Sequence, residues 1–260
     1  MQPDKNPFCG PVLIIAGTDS SGGAGLSRDI QTITAHGLRS CPVVTTVTAQ
    51  TDNGVIASHV IPAGLVHEQI KTAATTHNIS AVKIGLLATP KIVQITAAAL
   101  LEYLPLTIPV VLDPVLISSS GKQLLDPDGR AMLKLKLLPR CDLLTPNLPE
   151  AATLTGQPLA TSKQNIARQA KTLQDMGARN VLIKGGHAKD HQATDTLLEE
   201  NGTLHQFTSP RLPGTARGTG CTLASTITAH LANRHSIKSA CQAGKRFVAE
   251  MFEQFAIRPQ

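Results

Sequence analysis

The sequence predicts an α/β protein: a mainly parallel central sheet covered by helices on both sides, with an antiparallel hairpin added late. Three observations predict it. Short apolar runs rich in Val, Ile and Leu alternate with amphipathic stretches from end to end, the pattern of a parallel sheet wrapped on both faces. The 260 residues are 42% hydrophobic yet only 2% aromatic and contain no tryptophan. The core therefore has to be aliphatic, as in strands buried on both faces under Ala- and Leu-rich helices. Around residues 194–208 two short runs meet at Glu200-Asn201-Gly202, a hairpin signal and not a crossover.

Taken in order, residues 1–10 (MQPDKNPFCG) carry an acidic residue, two prolines and no apolar stretch. They read as a loose tail and not as a secretion signal. Strands are expected over 11–17 (PVLIIAG), 41–49 (CPVVTTVTA), 80–87 (SAVKIGLL), 108–115 (IPVVLDPV), 141–147 (CDLLTPN) and 180–186 (NVLIKGG). Helices are expected over 62–78, with Leu65, Ile70, Ala73 and Ala74 on the inner face, and over 162–177. The second uses Ile166, Ala170, Leu173 and Met176 and closes on Gly177. No repeat, low-complexity linker or break in composition divides 11–260, which reads as one domain of ordinary size.

Composition excludes several function classes. The formal net charge is +6, but the basic residues are scattered and lack interleaved aromatics for stacking bases. The excess suits anionic small molecules and argues against nucleic acid. No apolar run approaches the roughly 20 residues that span a bilayer. Five cysteines, Cys9, Cys41, Cys141, Cys221 and Cys241, lie far apart with no Cys-x-x-Cys pair, so a reducing, cytoplasmic setting is expected.

In an open parallel sheet ligands sit outside the carboxyl ends of the strands. The residues that matter are then the loop after the first strand, Gln50, the stretch from Lys83 to Leu87, Asp113, Asn147, Lys184 and Gly218–Cys221. The segment AGTDSSGGAGLSRDI (16–30) turns through glycines into a helix. It could cradle a ligand, with Asp19 and Asp29 as its polar groups, or be a plain strand-to-helix turn. It is neither the dinucleotide fingerprint nor a P-loop, which excludes a nicotinamide-dependent oxidoreductase.

Asp113 follows an apolar strand, where an acid either meets a hydrated divalent ion or caps a helix. Asn147 and Glu150, three apart at a helix start, can face one cavity, and they also fit a capping box; the two readings are compatible. Lys184 ends a strand and suits a phosphate. His187 and His191 have helical metal spacing, but the Gly-Gly before them favours a solvated loop over zinc. The backbone N–H groups of Gly218, Thr219, Gly220 and Cys221 at the head of a helix form an anion hole. Cys221 there feels the positive end of the helix, which favours thiolate. The alternative for Cys221 is simple packing.

Together, AGTDSSGGAGLSRDI, TAQT, VKIGLLA, VVLDPV…SSG…LL, LLTPNLPEAATLTG, VLIKGGHA and RGTGCTLAS resemble the hydroxymethylpyrimidine/phosphomethylpyrimidine kinases of thiamine biosynthesis, a ribokinase-like family. The resemblance covers roughly residues 12–255. It implies an ATP- and Mg²⁺-dependent phosphotransferase acting on 4-amino-5-hydroxymethyl-2-methylpyrimidine and then on its monophosphate, and a homodimer. Carried over by position, Gly17, Asp29, Gln50 and the backbone at Leu86 would bind the pyrimidine. Asp113, Asn147 and Glu150 would organise Mg²⁺ and phosphates, with Asp113 and Glu150 nearest the metal. Lys184 would meet ATP phosphates, and Thr219, Gly220 and Cys221 would supply the anion hole.

Related sugar kinases carry Asp where Cys221 stands, which implies that Cys221 is a thiolate proton acceptor and not a nucleophile. This sequence departs from the family at four places. Arg217 stands for the usual His, as a second positive charge beside the phosphoryl group. Ser119 stands for a common Lys, a loss that Arg217 is placed to offset. Thr51 stands for a common Asn, and RLPGTA lacks an Asn-Thr pair. These changes bear on substrate range and on the second phosphorylation. The rivals are a pyridoxal kinase, against which Gln50 argues, and a non-catalytic pyrimidine-binding sensor, which would have no use for Asp113, Glu150, Lys184 and Cys221 together.

Overall fold

Aliphatic runs that alternate faces build the centre of the molecule. The computed structural model describes residues 10–51, 54–118, 121, 123–185, 192–210 and 217–257. In chain order its strands are β1 (Val12–Ala16), β2 (Ser40–Val44), β3 (Thr46–Thr51), β4 (Gly54–Val60), β5 (Ala81–Ile84), β6 (Val110–Leu112), β7 (Leu143–Leu144), β8 (Asn180–Ile183), β9 (Gln192–Leu198) and β10 (Leu204–Pro210). The helices are α1 (Gly25–Ala35), α2 (Ala63–Thr76), α3 (Pro90–Tyr103), α4 (Pro127–Met132), α5 (Leu148–Thr155), α6 (Lys163–Asp175), α7 (Thr219–Ala232) and α8 (Ile237–Ile257).

The main sheet has the order β10-β9-β8-β7-β6-β5-β1-β2. It is parallel from β2 to β8, and β9 and β10 join antiparallel as the late hairpin. Strand alternation sorts the core into two layers. Leu13, Ile15, Val82, Ile84 and Leu112 pack with Val66, Ile70, Val93 and Leu173 of α2, α3 and α6. Val12, Ile14 and Ala16 face the other way, onto Leu26 and Ile33 of α1 and Ala229 of α7. Val111, Leu143 and Leu182 pack beside them against Leu223 and Ile227. Among the described residues no helix is long and apolar enough to cross a membrane.

Two expectations need correction. The run 41–49 is not one strand: it breaks at Thr45 into β2, which pairs with β1, and β3, which leaves the sheet to pair antiparallel with β4. The break is fixed by hydrogen bonds, since the Thr45 N–H donates to Ala16 O (3.0 Å) and its Oγ1 to Leu86 O (2.6 Å). Leu65 is exposed, and Val66 with Ile70 faces the core instead. Ile70, Ala73 and Ala74 lie on the expected face, and only the Leu65 position passes to its neighbour Val66. Helix α6 meets its expected face, and Gly177 follows it with φ +119°.

Candidate active site

The chain leaves β1 toward β2 on one side and returns to β5 on the other, so the carboxyl ends of β1 and β5 flank a crevice. Gly17 lies there because nothing larger fits: a Cβ would stand 2.7 Å from Thr46 Cγ2 and 3.0 Å from Leu86 Cδ2. Leu86 is half-buried. Gln50, near the end of β3, is half-buried beside a register shift in the β3–β4 ladder. Its backbone is held by Ser20, whose Oγ accepts from Gln50 N (2.8 Å) and donates to Gln50 O (3.0 Å). Thr48 Oγ1 donates to Thr18 O (2.8 Å). Gly17 thus lies against Leu86, and the loop after it is tied to the β3 segment that carries Gln50.

The Asp29 side chain is fully buried, with one oxygen 2.7 Å from Lys83 Nζ and the other accepting from Ser225 Oγ at 2.8 Å. These partners fix the carboxylate in place from within the protein, each oxygen keeping room for a second donor. Burial opposes the Lys83 charge, but Asp29 and Cys221 outweigh it and hold its pKa above the usual lysine value. Sequence reading named Lys83 only as a strand-end position. The signal for more was available: a lysine inside an apolar strand needs a buried counter-charge.

Across the crevice, β6, β7 and β8 deliver a second set of groups. Lys184 Nζ donates to Asp113 Oδ1 (2.7 Å) and lies 4.0 Å from Glu150 Oε2. Burial works against the Lys184 ammonium, yet Asp113 and Glu150 outweigh it and raise its pKa. Asn147 and Glu150 form a capping box on α5: Asn147 Oδ1 accepts from Glu150 N and Glu150 Oε2 from Asn147 N, both at 2.8 Å. Burial, helped by Asp113, pushes Glu150 up to about 7 against the pull of Lys184.

Among the described residues no group of three or more His, Cys, Asp or Glu could hold a metal; His187, His191 and Ser119 lie outside the described residues. The pair Asp113 and Glu150 nonetheless fits Mg²⁺, which binds through one or two carboxylates plus substrate phosphates and water. Both carboxylates already flank a cation, the Lys184 ammonium.

Helix α7 points its N-terminus at these charges. Gly218 caps it with φ +75°, a conformation reserved for glycine, and a Cβ there would strike Gly23 O. At Gly220 a Cβ would sit 3.4 Å from Lys184 Nζ and 3.5 Å from Asp113 Oδ2, so the first-turn N–H groups open beside the lysine. Such groups have no intrahelical partner and favour an anion. Burial pushes the Cys221 thiol up to about 11, against the pull of Lys83 and the Gly25 N–H, with Asp29 and Asp113 adding to the rise. At neutral pH the group is a thiol, not the thiolate expected from the helix end alone. Arg217 likewise differs from a free phosphate charge: its guanidinium is paired with Asp19 Oδ2 at 2.9 Å.

Residues 19–258 match the phosphomethylpyrimidine kinase family. The chain belongs to that family. It is 41% identical over 225 residues to the hydroxymethylpyrimidine/phosphomethylpyrimidine kinase of Escherichia coli K12, which covers 86% of this chain and 83% of that one. It is 38% identical over 240 residues to a thiamine biosynthesis bifunctional protein of Geobacter sulfurreducens; there it spans 92% of itself but about half, 48%, of the longer protein.

Among solved structures, the phosphomethylpyrimidine kinase of Clostridium difficile 630 superposes with a TM-score of 0.81 at 34% identity, covering 95% of this chain and 99% of that one. The pyridoxal kinase of Staphylococcus aureus, in complex with AMP-PCP and pyridoxal, gives 0.83 at 28% identity, over 92% and 86% of the two chains. The ribokinase-like expectation for the fold holds, and the family is one of phosphotransferases.

Proposed function

We propose that this kinase transfers the γ-phosphoryl group of ATP to the hydroxymethyl oxygen of 4-amino-5-hydroxymethyl-2-methylpyrimidine, and then a second phosphoryl group to the resulting monophosphate. The observation that carries the reading is the meeting of Lys184 and Asp113 at Gly220, the head of α7, opposite the Gly17 and Gln50 segments. A phosphoryl group between them would have cationic and N–H donors on one side and an alcohol on the other.

In this reading Gln50 pairs its amide with the ring nitrogen and exocyclic amine, while Gly17 and the Leu86 backbone form the walls. Lys184 neutralises phosphate charge, and the N–H groups of Thr219, Gly220 and Cys221 receive the charge that develops on the transferred group. Asp113 and Glu150 would hold Mg²⁺ with phosphate and water, Asn147 holding Glu150 in place; when bound, the ion neutralises phosphate charge and aligns the phosphates. Cys221 accepts the hydroxyl proton in its thiolate form, a minor population at neutral pH that forms once the thiol's own proton has passed to solvent water. Its burial is compatible with this role because phosphoryl transfer draws mainly on positioning and electrostatics. The Lys83 ammonium beneath supplies the charge that makes a transient thiolate attainable.

The test is purified protein with Mg-ATP and, separately, hydroxymethylpyrimidine, its monophosphate and pyridoxal, with products identified by mass. Phosphorylation of the first two is expected. The pyridoxal kinase structures that superpose on the chain favour pyridoxal as the second reading, and turnover of pyridoxal alone would install it. No turnover of any would leave a binding protein.

A further inference from the structure

We propose that Arg217 is a positioning residue that couples the two halves of the site, so that nucleotide at the head of α7 and pyrimidine at Gln50 each strengthen the other's binding. The inference rests on the functional reading above. Its own ground is a set of contacts that no other side chain in the site duplicates. Arg217 NH2 donates to Asp19 Oδ2 at 2.9 Å. NH1 donates to Ser21 Oγ at 2.7 Å and to Thr51 O at 3.1 Å. Asp19 is itself buried, and its other oxygen accepts from both Ser21 N (2.9 Å) and Ser21 Oγ (2.8 Å).

The fork therefore grips the glycine loop and the end of β3 together. Gln50 lies between those grips: Thr51 follows it in the chain, and Ser20 beside Ser21 holds its backbone. At the other end, Arg217 is joined directly to Gly218, which packs on Gly23 O. Any shift of the α7 N-terminus on binding phosphate is thus passed to both sides of Gln50. Three acceptors at fixed angles suit a planar guanidinium and not a lysine point charge. Turning the fork fully onto a phosphate would break part of this grip, because NH1 already serves two acceptors and NH2 pairs with the buried Asp19.

Coupling is reciprocal, so it is measurable from either ligand. The experiment is calorimetric binding of hydroxymethylpyrimidine with and without Mg-AMP-PCP, and of Mg-AMP-PCP with and without the pyrimidine. It is run on wild type, Arg217→Ala, Arg217→Lys, Asp19→Asn and the Arg217→Ala/Asp19→Asn pair. Wild type should show each ligand tightening the other by about fivefold or more. Arg217→Ala should lower that factor to about one while nucleotide affinity alone changes less than about twofold. Arg217→Lys should fall between. Asp19→Asn should lose coupling too, and the double variant should lose no more than either single one.

If Arg217→Ala does not fold, Arg217→Lys and Asp19→Asn carry the same comparison. Coupling retained in the variants with nucleotide affinity down about tenfold would make Arg217 a phosphate ligand and overturn the proposal. So would wild type that binds both ligands independently. Wild type that binds nucleotide but no pyrimidine would overturn the functional reading itself, and this inference with it.

Discussion

Cys221 illustrates how the site depends on residues that no local pattern reveals. Its place before an apolar helix suggests ionisation, but its neighbours from α1, β5 and β6 place a net burial cost on the thiolate that pushes it up to about 11. Iodoacetamide should therefore label Cys221 slowly at pH 7, with a rate rising about tenfold per pH unit until it levels near the thiol's own pKa. Peptide mass mapping reads this directly, and rapid labelling at neutral pH would contradict it. Cys221→Ala should lower kcat by about 10²–10⁴-fold, the usual worth of a positioned proton acceptor, and leave pyrimidine affinity nearly unchanged. Beneath it, Lys83→Met would strand Asp29 without its counter-charge. Removing one partner of a buried pair costs about 3–5 kcal/mol, and the double variant Lys83→Met/Asp29→Asn should recover much of that in urea unfolding.

At the scale of elements, the atoms that cap α5 are the ones proposed to serve the metal and phosphates. The Asn147 side chain accepts from the Glu150 N–H, and the Glu150 carboxylate accepts from the Asn147 N–H while facing Lys184. Asn147→Ala should cost about 1 kcal/mol of stability, as for other lost N-caps. Nucleotide affinity should change little, because the N–H that tethers the Glu150 carboxylate belongs to the backbone of residue 147 and survives the substitution; a large loss of affinity would give the Asn147 side chain a role beyond capping.

This double use was legible in sequence, since Asn-x-x-Glu at a helix start states both readings. So were six of the strands and the hairpin, because aliphatic runs bounded by polar turns leave few alternatives. The separate β3–β4 pair was not. TTVTAQT continues the apolar character of β2 without interruption, and only the Thr45 hydrogen bonds to Ala16 and Leu86, residues distant in sequence, turn the chain out of the sheet.

Across the whole molecule, the sheet gathers the site at one end, from strand tips 17, 50, 86, 113 and 184, while a different chemistry collects on the helical layer of α1, α7 and α8. Alternation in the sequence implied a parallel sheet but neither its strand order nor which helix faces which, and three histidines meet only because of that packing. The rings of His36 and His230 lie 5.3 Å apart, those of His230 and His235 5.1 Å, and His36 also packs on Phe247 at 4.8 Å. Burial lowers the pKa of His36 and of His230; His36, His235 and Arg246 add to the lowering at His230.

The sign follows. A histidine whose folded pKa is depressed binds its proton more readily when unfolded, so stability is level above the unfolded value of about 6.5 and falls as pH drops below it. The histidine contribution, read as the difference in urea midpoint between wild type and His230→Gln from pH 8 to pH 5.5, should be flat and then decline. His230→Gln, which removes both its own titration and its repulsion of His36, should shrink the decline relative to wild type. An unchanged slope in that variant would assign the acid sensitivity to other groups, but not to Glu150: a carboxyl held up to about 7 in the folded protein takes its proton there first and adds stability as pH falls.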